Sequence, residues 1–233
     1  MLNILKKIIY NFVLINKTNV FGEKPRDIIF VEPTYYIINK LDEKSTVIDV
    51  GTGDNADLSQ ALIKKYNLVS YGFDPTLKHQ PSLKKIERGS NGHFIFHNFA
   101  LSSKSGEAEF FESVENISGS FSTDHINIKK NNKKYSVKTI TLKDIILMLP
   151  IKRIDLIKID IEGEEYNLIK SLEKELADKI QQFVVEFHHH CIDKYSVIDN
   201  IKAIRKMESF GFKFYSKDGI NYLFYKDNDK KNN

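Results

Sequence analysis

"VIDVGTGDNA", residues 47–56, indicates the fold class of this chain. Its β-branched run predicts a buried strand, and the glycines that follow predict a tight turn. Apolar residues with helical spacing then continue through residues 56–66. A strand, a glycine-containing turn and a helix in this order are typical of the first unit of a parallel α/β sheet.

The turn also predicts a cofactor site. Gly51, Gly53 and Ala56 match the pattern G-x-G-x-x-G/A, and Asp74 lies at the end of the next predicted strand. This pattern fits both a nicotinamide dinucleotide and S-adenosylmethionine, and a glycine turn without a ligand is a third interpretation. Asp49 lies just before the turn, where a carboxylate would repel a pyrophosphate but favour an ammonium or sulfonium group. We therefore expect the methyl donor rather than the nicotinamide.

Strands and helices alternate along the rest of the chain, which predicts an α/β fold with a mostly parallel sheet. Strands are predicted at 68–75, 93–102, 153–163 and 180–189, helices at 164–176 and 196–212, and a hairpin at 212–226. A second hairpin is expected within 103–142, around a polar stretch at 113–134 that could cover the acceptor side of the site.

We expect one domain at 45–226, preceded by an N-terminal helical segment at 1–44 and followed by a frayed tail at 227–233. Lysines interrupt the apolar N-terminus, which argues against a signal peptide, and the apolar run is too short to cross a bilayer. The expected role of that segment is an amphipathic helix packed on the domain. A helix that contacts a membrane surface or the second subunit of a homodimer is the alternative.

The overall composition argues against some classes of protein. A net charge of +4 is too mild to indicate a nucleic-acid-binding protein, although it is compatible with an anionic ligand. The single cysteine, Cys191, excludes an internal disulfide and fits a reducing, cytoplasmic environment.

Several further stretches occur in the order found in FkbM-type S-adenosylmethionine-dependent methyltransferases. They are "GFDP", "HNFALSSKSGEAEF", "VKTITLKDI", "LIKIDIEGEEYNLIKSL" and "VVEFHH". This resemblance covers about residues 45–190 and implies a Rossmann-like class I fold with a seven-stranded sheet, helices on both faces and O-methylation of a sugar or another hydroxyl compound. Carried over by position, the candidate cofactor-binding residues are Asp49, Gly51, Thr52, Gly53, Asn55 and Asp74. Asn98, Phe99 and Ala100 follow the third strand, where they could contact the adenine, although Phe99 could equally be core.

A second group of candidate residues follows two strands that the resemblance makes neighbours. Side chains two residues apart in a strand share a face, so Asp160 pairs with Glu162 and Glu186 with His188. Three interpretations stay open for Asp160, Glu186 and His188. They could bind Mg²⁺, Mn²⁺ or Fe²⁺, they could act without a metal, with His188 or Asp160 as general base, or they could be structural.

The acceptor predicted from these features is a carbohydrate. "SGSFSTDH" offers hydroxyl groups and His125 for polyol recognition, and "KKNNKK", residues 129–134, could meet the phosphates of a nucleotide-linked sugar or could be a solvated turn. We expect an O-methyltransferase for a sugar, such as a nucleotide-linked precursor of a surface polysaccharide. An NAD(P)-dependent sugar oxidoreductase or epimerase using Tyr166 and Lys170 is the alternative, and a non-catalytic binding module is the third hypothesis.

Overall fold

The computed structural model describes residues 19–31 and 34–227 of the chain. The described strands are β1 (Ile28–Val31), β2 (Tyr35–Ile38), β3 (Thr46–Val50), β4 (Val69–Phe73), β5 (Phe94–His97), β6 (Ala100–Leu101), β7 (Gly106–Ser113), β8 (Gly119–Ser120), β9 (Asn132–Ile140), β10 (Leu156–Ile159), β11 (Gln182–Glu186), β12 (Lys213–Ser216) and β13 (Asn221–Tyr225). The described helices are α1 (Asp57–Tyr66), α2 (Gln80–Gly89), α3 (Leu142–Met148), α4 (Glu165–Ser171), α5 (Lys174–Ala177) and α6 (Val197–Ser209).

Seven strands form the central sheet in the order β12-β13-β11-β10-β3-β4-β5. The pairs from β11 through β10, β3 and β4 to β5 are all parallel. β13 pairs antiparallel with both β11 and β12, which makes it the one reversed strand of this sheet. The predicted α/β fold, with its mostly parallel sheet and C-terminal hairpin, is confirmed.

Alternate residues of the central strands face two separate apolar layers. Val47 and Leu156 pack beneath α1 and the β1–β2 hairpin. Ile48 and Ile157 face the opposite way and pack against α3, α4 and α6. Helices therefore cover both faces, and the carboxyl ends of the parallel strands meet at one edge of the sheet.

A second sheet of four strands, in the order β6-β9-β7-β8, lies beside the central one. β7 and β9 form the expected antiparallel hairpin. The prediction of a single strand at 93–102 is wrong, because two strands occupy this range. A turn in which the Phe99 amide donates to the His97 carbonyl separates β5 from β6, and β6 pairs in parallel with β9 instead.

The predicted N-terminal helical segment needs correction for the residues that the structure describes. β1 and β2 form an antiparallel hairpin, and their apolar side chains pack on the α1 face of the central sheet. β-branched and aromatic residues dominate both strands, which favours a pleated surface over a helix. Residues 1–18, on which the amphipathic-helix prediction depends, and residues 228–233 of the expected tail lie outside the described residues.

Two helices, α2 and α3, were not predicted, and the helix expected at 164–176 is divided. Only Leu83 is buried in α2, and most of its other residues are polar. α3 does carry a start signal, a capping box formed by Thr141 and Asp144. The backbone at Leu172 is extended and separates α4 from α5. Within residues 19–31 and 34–227, no helix is both long and apolar enough to span a bilayer.

Candidate active site

A cleft of about 580 Å³ opens at the carboxyl ends of the central strands. Gly51 and Gly53 line it after β3, Asp74 after β4, and Asp160 and Glu162 after β10. The second sheet and its connections close the other side with Ala100, Leu101, Phe110, Ile117, Gly119 and Phe121. Parallel α/β sheets bind ligands at this edge, so the cleft is the candidate site.

The turn after β3 needs glycine for two different reasons. Gly51 has φ +75°, and a Cβ added there would overlap the carbonyl oxygen of Asp160. Gly53 has φ +66° but has nothing within 4 Å of an added Cβ. Gly51 thus lets the turn pack against the end of β10, whereas Gly53 leaves open space beside the cleft.

Asp74 is held beneath this turn. Its carboxylate accepts hydrogen bonds from the amides of Gly53 (3.0 Å) and Thr76 (2.8 Å), and both of its oxygens lie 3.3 Å from Nδ1 of His79. His79 also lines the cleft, and its Nε2 is buried without a hydrogen-bond partner among the described residues. An unpartnered buried nitrogen indicates a ligand or water at this position.

The other candidate cofactor residues occupy different positions. Asp49 is buried behind the turn, where it accepts a hydrogen bond from Ser59 Oγ (2.6 Å) and lies 3.5 Å from Lys158 Nζ. Asn98 is exposed. The residues of this set outside the cleft lining are Asp49, Thr52, Asn55, Asn98 and Phe99. The cleft itself combines Gly51, Gly53, Asp74 and Ala100.

Asp160, Glu186 and His188 converge as their strand positions predicted. One ligand atom of each lies within 4.8 Å of the other two. Nε2 of His188 is 3.5 Å from Asp160 Oδ1 and 3.9 Å from Glu186 Oε1. The group forms because β10 and β11 are parallel neighbours that end at the same edge.

Glu165, the first residue of α4, holds His188 from behind. Its carboxylate lies 2.9 Å from His188 Nδ1 and also accepts hydrogen bonds from the amides of Ile161 and Gly163. Glu165 is completely buried. It therefore fixes both the imidazole ring and the turn that follows β10.

Lys158 joins the acidic group to the glycine turn. Its ammonium donates to the Gly51 carbonyl and lies 3.3 Å from Asp160 Oδ2. The Tyr35 hydroxyl, from the N-terminal hairpin, donates to the same Asp160 oxygen at 3.2 Å. Burial opposes the charge of Lys158, but Tyr35, Asp160 and Asp49 raise its pKa well above the usual value.

His125 does not have the polyol-binding position expected from sequence. Its side chain is fully buried, and Nε2 lies 2.6 Å from Glu162 Oε2. Nδ1 accepts a hydrogen bond from the Asn127 amide at 3.2 Å. Ser120 Oγ also donates to the carbonyl of Glu162, which has the left-handed φ of +52°. The stretch 113–134 is thus tied to the active-site turn.

The three central groups have displaced pKa values. Burial, and then the nearby Asp160 charge, raise the pKa of Glu186 to about 7. Burial opposes ionisation of Asp160, yet Lys158 and His188 hold its pKa below the usual value. Burial also opposes protonation of His188, but Glu165, Glu162 and Asp160 raise its pKa well above the usual value. Glu186 is therefore the group that changes charge near neutral pH.

The donor set also fits a divalent cation. Two carboxylates and an imidazole are suitable ligands, and the contact of His188 Nδ1 with Glu165 leaves Nε2 directed at the carboxylates. In the absence of a cation, the same arrangement requires a proton on Nε2, because Asp160, Glu162 and Glu186 all approach that atom. The geometry is compatible with either state.

The residues proposed for a nicotinamide enzyme lie elsewhere. Tyr166 stacks on Tyr195 with ring centroids 4.0 Å apart, and its hydroxyl donates to Asn200. This places the Tyr166 hydroxyl between α4 and α6, away from the residues that line the cleft. Lys170 is exposed, and neither residue lines the cleft.

Sequence reasoning missed Tyr35, Lys158 and Glu165 as parts of the site, and it assigned His125 to the acceptor rather than to the contact with Glu162. Lys158 could have been found, because it is two residues before Asp160 and shares its face. Glu165 had a weaker signal, a carboxylate at the start of a predicted helix. Tyr35 and His125 reach the site through tertiary contacts that no local pattern indicates.

Comparison with solved structures found similar chains of low identity. A Methanococcus jannaschii fibrillarin pre-rRNA processing protein is 9% identical, with a TM-score of 0.46 over 79% of this chain and 67% of its own. M. capricolum TrmK in complex with S-adenosylhomocysteine is 15% identical, with a TM-score of 0.37 over 81% and 67%. A Geobacter metallireducens precorrin-6y C5,15-methyltransferase is 10% identical, with a TM-score of 0.44 over 89% and 98%. Comparison with curated proteins gave no match.

The family comparison is decisive. The family described as "Methyltransferase FkbM domain" matches residues 14–214, which include the glycine turn, the parallel strands from β3 to β11 of the central sheet, the second sheet and the acidic group. The fold and the cleft agree with this match. The chain belongs to the FkbM methyltransferase family.

Proposed function

We propose that this protein transfers the methyl group of S-adenosylmethionine to a sugar hydroxyl. One observation carries the proposal: Asp160 and Glu162 line the same cleft as Gly53 and Asp74. A donor bound over the glycine turn would therefore end beside groups able to receive the proton of an alcohol.

The polar groups around the cleft suit the donor. Asp74 could accept hydrogen bonds from ribose hydroxyls if it exchanged one of its present partners, and the unpartnered Nε2 of His79 is available nearby. Two carboxylates, from Asp160 and Glu162, line this end of the cleft, and those of Glu165 and Glu186 contact His188 next to them. A sulfonium is favoured in such surroundings, whereas a pyrophosphate is not.

Glu186 is the proton acceptor in this proposal. With a pKa of about 7, it is ionised in half of the molecules near neutral pH and is matched to general-base catalysis. His188 is less suitable than the sequence suggested, because its carboxylate neighbours keep it protonated. Asp160 is less suitable because Lys158 and His188 lower its pKa, which weakens it as a base.

The reaction is then a direct displacement. The acceptor oxygen attacks the methyl carbon, the carbon–sulfur bond breaks, and the hydroxyl proton passes to Glu186. The products are the methyl ether, S-adenosylhomocysteine and a proton that Glu186 releases to solvent. Positioning of the two reactants supplies much of the rate in such a step.

A divalent metal held by Asp160, Glu186 and His188 is the alternative. Such an ion would hold the acceptor oxygen and lower its pKa. The donor set fits an ion, as described above, and chelation distinguishes this arrangement from the metal-free one.

The sugar acceptor is supported by chemistry near the cleft. Ser122 and Thr123 follow the cleft-lining Phe121 and are not buried, and lysines follow at 129–134. Serine hydroxyls can bind a polyol, and lysines favour an anionic acceptor such as a nucleotide-linked sugar. The acceptor could serve the synthesis of a surface polysaccharide.

The test is transfer of a labelled methyl group to a panel of nucleotide sugars and free sugars. We expect label in at least one acceptor, and we expect Glu186→Gln to slow its transfer by about 10²–10⁴-fold while S-adenosylhomocysteine still binds. Reduction of NAD(P) by a sugar without any methyl transfer would support the oxidoreductase alternative instead.

A further inference from the structure

The strongest feature that the proposed chemistry leaves unused is an exposed apolar surface that reaches the cleft at Ile117. Leu77, Val114, Ile117 and Ile126 are 43%, 61%, 62% and 53% exposed, and we call them the rim patch. They are half of the exposed large apolar side chains among the described residues. Their concentration in one region calls for an explanation.

Hydrogen bonds hold the backbone segments of the rim patch next to one another. Lys78 Nζ donates to the carbonyls of Ser113 and Asn116, which brings the segment of Leu77 to that of Val114 and Ile117. Asn116 Nδ2 donates to the Asn127 carbonyl at 3.3 Å and so reaches the segment of Ile126. The patch is therefore one local surface.

Basic residues border this surface. Between residues 113 and 134 the chain carries four lysines against one glutamate and one aspartate. Lys130 and Lys133 are exposed, and Lys129 and Lys134, 63% and 56% exposed at their side chains, pair with Asp193 and Glu109. Contacts between lysines and phosphates would suit a nucleotide sugar. Such a ligand would leave the exposed aliphatic side chains unexplained. Exposed aliphatic side chains can enter the acyl-chain region of a bilayer, and the lysines around them can contact its anionic headgroups.

We propose that the rim patch docks the protein on an anionic lipid surface, so that the cleft takes its acceptor sugar from a membrane-borne glycan. The acceptor part deepens the proposed function and rests on it. The docking part does not require methyl transfer. A second copy of this chain is less suited to the rim patch, because a symmetric dimer contact would place the lysines of the two copies opposite each other.

The test is sedimentation of the full chain with vesicles of phosphatidylcholine, with and without phosphatidylglycerol. We expect binding to the anionic vesicles that weakens in high salt. Val114→Ser with Ile126→Ser should reduce binding about tenfold, because two half-exposed aliphatic side chains no longer enter the lipid. Lys129→Gln with Lys130→Gln should reduce binding to anionic vesicles only.

Leu147→Ser is the matched control, because Leu147 is 73% exposed on α3 and outside the patch. Its binding should equal that of the unmodified chain. Stabilisation by S-adenosylhomocysteine in a thermal melt should be retained by every variant, which separates docking from folding and from the cofactor site.

Three results would overturn the inference. They are absence of binding to anionic vesicles, equal binding by the rim-patch variant, and self-association in light scattering that the rim-patch variant abolishes. If vesicles fail but methyl transfer to a soluble sugar succeeds, the docking inference is wrong and the proposed function stands. If the protein binds vesicles but methylates no acceptor, the docking inference stands and the proposed function is wrong.

Discussion

The ammonium of Lys158 lies 3.3 Å from Oδ2 of Asp160, two residues further along at the carboxyl end of β10. Asp49, on the neighbouring strand, lies 3.5 Å from the same nitrogen. One buried cation thus serves two carboxylates and also the carbonyl of Gly51. It links the cofactor turn to the acidic group.

Replacement of Lys158 by methionine should therefore destabilise the fold strongly. The variant leaves the buried Asp49 and the partly buried Asp160 without their cation, which should lower the free energy of unfolding by about 3–5 kcal/mol. Denaturant unfolding measures this change. Lys152→Met, at an exposed position just before β10, is the control and should change stability little. Equal stability of the two variants would show that Lys158 is not the central cation.

The two glycines of the turn should respond differently to alanine. Gly51→Ala should lower the free energy of unfolding by more than about 3 kcal/mol, because its Cβ meets the backbone of Asp160 in a left-handed conformation. Gly53→Ala should lower it by only about 1–2 kcal/mol, the cost of the left-handed φ, because the space beside it is open. Denaturant unfolding of both variants checks the difference. Calorimetry should then show weaker S-adenosylhomocysteine binding by Gly53→Ala.

The rate of methyl transfer should depend on Glu186 and on pH. A general base must be deprotonated, so kcat/KM should rise with pH, with a midpoint near the Glu186 pKa of about 7, and level off above it. Glu186→Gln should lower kcat by about 10²–10⁴-fold and remove this rise. A pH profile of both proteins with a saturating methyl donor checks it. An unchanged profile in Glu186→Gln would assign the base elsewhere.

Chelation separates the two interpretations of Asp160, Glu186 and His188. We expect activity to survive treatment with a chelator, because Lys158 already compensates Asp160 and a protonated His188 satisfies the carboxylates near Nε2. The measurement is methyl transfer before and after chelation, followed by addition of Mg²⁺, Mn²⁺ or Fe²⁺. Loss of activity that one ion restores would make these residues metal ligands.

Much of the fold was predictable because it depends on local patterns. The apolar runs of β3, β10 and β11 and the glycine turn predict parallel strands without tertiary information. The convergence of Asp160 with His188 follows from alternation along two neighbouring strands. α2 escaped prediction because its sequence is mostly polar and buries only Leu83, so few apolar residues mark it as a helix.

The supporting residues of the site could not be predicted in the same way. Tyr35 contacts Asp160 across 125 positions of sequence, and His125 meets Glu162 only because the second sheet folds over the cleft. Asp49 looked like a cofactor ligand because it precedes the glycines, but alternation turns its side chain towards Ser59 and Lys158. Contacts between distant elements determine these roles.

A crystal structure with S-adenosylhomocysteine tests the central claim most directly. The account predicts the nucleoside over Gly53 and Asp74, with the sulfur directed towards Asp160 and Glu186. A nucleoside bound outside this cleft, or a sulfur directed away from those two carboxylates, would contradict it.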